Sequence, residues 1–125
     1  MVVTQKLFIH GKYVDATSGK TIDSINPATG QVWAQMPEAR TDEVNRAVAA
    51  ASQALQDTAW AGLTASQRGK LLYKLADLIE KAAPQLAQYE TSDTGKIIRE
   101  TSSQIAYVAE YYRYYAGIAD KLEGS

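Results

Sequence analysis

The sequence predicts an α+β segment in which N-terminal β arms are followed by three or four helices. Three observations carry that expectation: short apolar runs between glycine- and proline-bearing turns over residues 1–40, apolar residues at helical spacing over residues 41–125, and threonine-glutamine pairs spaced to open helices. No internal repeat or low-complexity linker interrupts the chain, and its 125 residues fit one domain, 1–125.

The β arms come first. Leu7, Phe8 and Ile9 form an apolar run, His10-Gly11 can turn the chain, and Tyr13-Val14 return as the second arm of a hairpin. Thr17-Ser18-Gly19-Lys20 marks another turn, after which Thr21, Ile22 and Ile25 begin a strand that stops at Asn26-Pro27-Ala28-Thr29-Gly30. There Asn26 can close an Asx turn, Pro27 presets its backbone angle, and Gly30 frees the exit. Gln31 to Met36 continue extended, and Pro37 ends that arm because proline donates nothing to a ladder.

Helices follow. Thr41 is the expected cap of a helix over 41–56, with Asp42 and Glu43 at the positive end of its dipole and Val44, Val48, Ala51 and Leu55 on one side. Trp60 in the link is the expected anchor. Thr64 and Gln67 form a capping box, and Leu71, Leu75, Leu78, Ala82, Leu86 and Tyr89 then make a stripe that should bury. Pro84 predicts a break at Ala83, and Gly95 is the natural left-handed residue after the run. A last helix is expected over about 101–121, opened by Thr101 and Gln104. Ile105, Val108, Tyr112, Tyr115, Ala119 and Leu122 form one of its stripes, and Tyr107, Tyr111, Tyr114 and Ile118 another. A helix apolar over so much of its girth sits inside a larger body or shows a second face to a partner or ligand.

Composition narrows the function. Thirteen basic and fourteen acidic residues leave a net charge of -1 with no basic stripe, which argues against nucleic acid. There is no cysteine, hence no disulfide, thiolate metal site or cysteine nucleophile in this chain. The N-terminus has no signal pattern and no run is long enough to span a membrane, so a cytoplasmic protein is expected. His10, the only histidine, reads as a solvated turn residue. Neither G-x-G-x-x-G nor G-x-x-x-x-G-K-[ST] occurs, so no nucleotide cradle is visible. Glu43, Asp77, Glu80 and Glu100 read as solvated helix faces, without a paired acid and base. The tyrosine group reads either as packing with hydroxyls at the rim or as the aromatic wall of a ligand channel.

In order, INPATGQVWAQMPEA, DEVNRAVAAA, RGKLLYKLADLIE, ETSDTGK and RYYAGIADKLEG resemble the N-terminal segment of the aldehyde dehydrogenase superfamily, from Leu7 onward. Ile97 and Ile118 depart from the proline and tryptophan that many relatives carry there. The resemblance implies part of the α/β Rossmann-like dinucleotide-binding domain of a longer NAD- or NADP-dependent enzyme, a dimer or tetramer that oxidises an aldehyde to an acid. Its cysteine nucleophile and glutamate base cannot be placed on this chain, so the 125 residues alone are expected to be inactive and to contribute scaffold and tunnel wall. The resemblance implies that Tyr107 and Tyr111 line the aldehyde tunnel, and that Ser24, Ile25 and Asp93 flank a sodium or potassium ion. The uncovered aromatic face is expected to meet the remainder of the dehydrogenase or a second copy. From another class, a non-catalytic module could use that helix to bind a partner, and a small-molecule carrier is a third reading.

Overall fold

The computed structural model describes residues 2–121 and divides into two compact units, Met1–Gly62 and Leu63–Ser125. The division places the first helix with the strands.

In the first unit the strands are β1 (Val3–Thr4), β2 (Leu7–Ile9), β3 (Lys12–Val14), β4 (Thr21–Asn26) and β5 (Gln31–Pro37). The expected hairpin is β2–β3, with Phe8 opposite Tyr13. His10 (φ 52°) and Gly11 (φ 74°) both have positive φ, the requirement of the two-residue turn whose twist matches its strands. β4 and β5 pair antiparallel from Thr21↔Pro37 to Asn26↔Gln31 with a register shift at Ser24/Ile25. Between them Asn26 Oδ1 accepts from the Ala28 amide at 2.9 Å, the Asx turn that the pentad encodes. β1, which carries no turn signal of its own, adds a short parallel partner to β5, with Val3 opposite Ala34.

The helices of this unit are α1 (Thr41–Gln56) and α2 (Thr58–Ala61). The expected span of α1 holds, but its cap does not: Arg40 is the N-cap residue and Thr41 is already helical. Glu43, three residues into the helix, reaches back and accepts from the Arg40 amide at 2.9 Å, the reciprocal half of a capping box. Glu43 is also not solvated. It is 1% exposed because the Ala16–Lys20 turn closes over it, and it accepts from the Thr17 amide at 2.8 Å and from the Thr17 hydroxyl. The Val44, Val48 and Leu55 side of α1 is exposed, and Trp60 in α2 is 41% exposed rather than sunk as an anchor.

The second unit is a helical hairpin of α3 (Ala65–Thr94) and α4 (Ile98–Ile118). α3 starts at the expected capping box, with Gln67 Oε1 accepting from the Thr64 amide at 2.8 Å, and ends on Gly95 at φ 77°. Pro84 does not break it: the helix runs through for 30 residues. Pro84 and Glu80 lie on the solvent side, where water can serve the carbonyl deprived of its donor. α4 begins earlier than expected, with Ile97 as N-cap residue, because Thr101 is not a cap. Thr101 is fully buried, its hydroxyl 2.8 Å from that of Thr91 on α3 and 3.1 Å from the Ile98 carbonyl. Leu122, which ends one expected stripe of α4, lies outside the described residues.

The seam between the two helices is made of small residues. Gly69, Ala76 and Ala87 of α3 and Thr101, Ala109 and Ala116 of α4 are the buried positions. A Cβ at Gly69 would stand 2.8 Å from the Ala116 carbonyl oxygen, which measures how closely the backbones approach. Ser66 Oγ donates to Asp120 Oδ2 at 2.7 Å near one end, and the Thr91–Thr101 bond pins the other. The expected stripe is therefore only partly a packing face: Leu71, Leu75 and Leu78 are 45%, 39% and 56% exposed, whereas Ala82, Leu86 and Tyr89 are half-buried. Backbones this close leave no room for leucine between them, and rotation of α3 toward its alanines turns the leucines outward.

Candidate functional site

With its small side chains committed to the seam, α4 leaves Tyr107, Tyr111, Tyr114 and Tyr115 exposed, while Tyr112 is half-buried. Residues at i, i+4 and i+7 share a side of a helix, so Tyr107, Tyr111 and Tyr114 fall together, and Tyr115 flanks them. Tyr107, Tyr111, Tyr114 and Tyr115 are 63%, 51%, 64% and 54% exposed. With Glu110 they line an open recess of about 400 Å³. Tyr107 and Tyr111 meet edge to face with centroids 4.8 Å apart, and Tyr114 and Tyr115 do the same at 5.4 Å. Such edge-to-face pairs fix ring directions better than isolated rings would be fixed. A hydrogen bond with Tyr107 holds the Tyr111 phenol above its ordinary range, with the charge on Tyr107 and burial acting in the same direction. Among the described residues the recess is aromatic, with phenol hydroxyls and a single carboxylate, that of Glu110.

The two residues singled out in the sequence for a tunnel, Tyr107 and Tyr111, are brought together. Glu110 and Arg113 were missed, although their separation by three on a helix is the ordinary signature of an ion pair. Asp77 and Glu80 are not merely solvated either. Arg113 Nη2 reaches Asp77 Oδ1 at 3.0 Å and also bonds Glu80, while Nη1 donates to Glu110 Oε1 at 2.7 Å. Glu80 first, then Asp77 and Glu110, push the guanidinium pKa up.

The other candidates divide. His10 sits exposed in its turn, as expected. Ser24 and Ile25 straddle the β4 irregularity in the first unit, with Ser24 9% exposed and its hydroxyl accepting from the Trp33 indole at 2.7 Å. Asp93 stands in the last turn of α3 in the second unit. Among the described residues no three His, Cys, Asp or Glu side chains are grouped to hold a metal. The glycines with positive φ, at 11, 19, 30 and 95, serve turns between strands or loops and a helix end, so none forms the strand-to-helix loop that cradles a dinucleotide phosphate. No described helix is long and apolar enough to cross a membrane.

Comparison with known proteins adds the context of a longer molecule. Residues 13–125 match the model of the family described as the aldehyde dehydrogenase family. Over 120 residues the chain is 74% identical to (Z)-2-((N-methylformamido)methylene)-5-hydroxybutyrolactone dehydrogenase of Acinetobacter baylyi, covering 96% of this chain and 24% of that protein. Among solved structures, an NAD-dependent aldehyde dehydrogenase from Sinorhizobium meliloti superposes with a TM-score of 0.94 at 37% identity, covering 100% of this chain and 25% of that one. A betaine aldehyde dehydrogenase mutant from Staphylococcus aureus in complex with NAD+ superposes with a TM-score of 0.91 at 33% identity, covering 98% and 25%. The chain spans about a quarter of the length of the relatives it matches.

Proposed function

The chain belongs to the aldehyde dehydrogenase family, and from that premise we propose that it is the N-terminal portion of an NAD-dependent enzyme oxidising an aldehyde to a carboxylic acid. In this reading the segment supplies scaffold and part of the wall along which the aldehyde travels, with Tyr107 and Tyr111 in that wall. The observation that carries the reading is the tyrosine side of α4: four half-exposed or more exposed rings around a recess of about 400 Å³. Concave aromatic surface with a few polar groups is what a small organic molecule needs.

The division of labour follows from what the residues can do. Bound dinucleotide supplies the hydride acceptor for aldehyde oxidation. Among the described residues no glycine loop leads from a strand into a helix to cradle a dinucleotide phosphate, and in this reading the segment carries no chemical step. What they do is bind and orient. Paired rings present flat apolar surface to the carbon chain of an aldehyde, and the phenol hydroxyls offer it hydrogen bonds.

The reading is tested by Tyr107→Ala in a full-length family enzyme that carries this segment. Loss of one ring from the wall is expected to change the kcat/KM ratio between a bulky and a small aldehyde by about tenfold, the scale of one lost aromatic contact, with little change in Tm. Unchanged kinetics across several aldehydes would remove the tunnel assignment.

A further inference from the structure

Arg113 joins the tyrosine recess to the seam. Its side chain is 25% exposed, whereas the acidic side chains it binds are 72% (Asp77), 62% (Glu80) and 63% (Glu110) exposed. The fork is divided: Nη2 serves Asp77 and Glu80 on α3, and Nη1 serves Glu110 on α4. Two carboxylates on the neighbouring helix thus fix the guanidinium plane, and Glu110 is drawn to a cation that cannot follow it outward. Among the described residues Glu110 is also the one charged side chain lining the recess with the four tyrosines. The charge a visiting molecule meets there is therefore set by Glu110 and by how far Arg113 offsets it.

We propose that Arg113 is a positioning residue for substrate selection: anchored on α3 by Asp77 and Glu80, it ties back and partly offsets the Glu110 carboxylate, so that the tyrosine recess of α4 discriminates less strongly against anionic aldehydes than it would with a free Glu110. This rests on the reading of that face as tunnel wall. Removing the guanidinium leaves Glu110 an uncompensated anion beside four rings. A free carboxylate and electron-rich ring faces both attract cations, so preference moves toward cationic aldehydes and away from anionic ones.

The test compares three aldehydes of similar size in a full-length family enzyme carrying this segment: one bearing a quaternary ammonium, one neutral and one bearing a carboxylate. Arg113→Gln is expected to raise the kcat/KM ratio of cationic over anionic aldehyde about three- to fivefold, the scale of one exposed charge interaction, chiefly through KM. Adding Glu110→Gln is expected to return the ratio toward its starting value. A purely structural role would lower all three rates together, and equal changes or an unmoved ratio overturn the proposal. If Arg113→Gln gives no soluble enzyme, Glu110→Lys decides: a cation placed in the recess must move the ratio the opposite way, and an unmoved ratio overturns the proposal. Tyr107→Ala separates the two claims. If it alters aldehyde preference while Arg113→Gln does not, only this inference fails; if it changes nothing, the tunnel reading fails.

Discussion

In the unit of residues 1–62 the largest fully buried side chain is a carboxylate, Glu43, whereas in the unit of residues 63–125 it is Thr101, buried among alanines and a glycine. The first unit ties a turn to a helix start through hydrogen bonds to one buried charge. The second brings two backbones so close that only small side chains fit between them, and it leaves its large side chains outside. A buried charge keeps its place only while every partner is present. A small-residue seam keeps its place only while nothing is added. The two units should therefore fail in opposite ways, one on deletion and the other on insertion.

The largest effect should come from insertion. Ala76 is 0% exposed in the seam of α3, so Ala76→Leu must push the helices apart or force strained rotamers. A loss of about 2–3 kcal/mol is expected in denaturant unfolding, at the upper end for overpacked cores. Tolerance of leucine there would place the seam elsewhere.

Deletion of charge should show itself through pH. The Thr17 hydroxyl, then the Thr17 and Arg40 amides, hold the Glu43 carboxyl down from 4.5 to about 2. A depressed folded-state value means that the native protein binds the proton less readily than the unfolded chain. The contribution is accordingly full above about pH 4.5 and is lost as pH falls toward 2. Glu43→Gln should lower the unfolding midpoint at pH 7 and flatten its decline between pH 5 and 2. An acid limb of unchanged steepness would show that Glu43 is not the group being titrated.

The same contrast explains what was legible in the sequence. In the first unit the signals are local: His10-Gly11 and Asn26 to Gly30 dictate their turns through backbone angles and Asx bonding, and the strands between them follow. Glu43 was misread because its partners come from Thr17, a contact that helix periodicity does not encode. In the second unit the capping box at Thr64 and the stop at Gly95 were readable for the same local reason. The packing face was not. Leu71, Leu75 and Leu78 repeat at helical spacing and outweigh alanine on any hydrophobicity count, yet close backbone approach selected Gly69, Ala76 and Ala87. Thr101 likewise resembles a cap in sequence and serves as an interhelical pin. The tyrosine side of α4 was legible because it is large and periodic. The full role of Arg113 was not, because two of its three partners, Asp77 and Glu80, stand on another helix.

The seam is the claim from which the outward tyrosines and leucines follow, and the unfolding free energy of Gly69→Ala tests it most directly. Helix propensity alone favours alanine over glycine by about 1 kcal/mol. The added Cβ would instead meet the Ala116 carbonyl oxygen at 2.8 Å. The account predicts a net loss of stability of about 1 kcal/mol, and a gain of the size that propensity alone provides would contradict it.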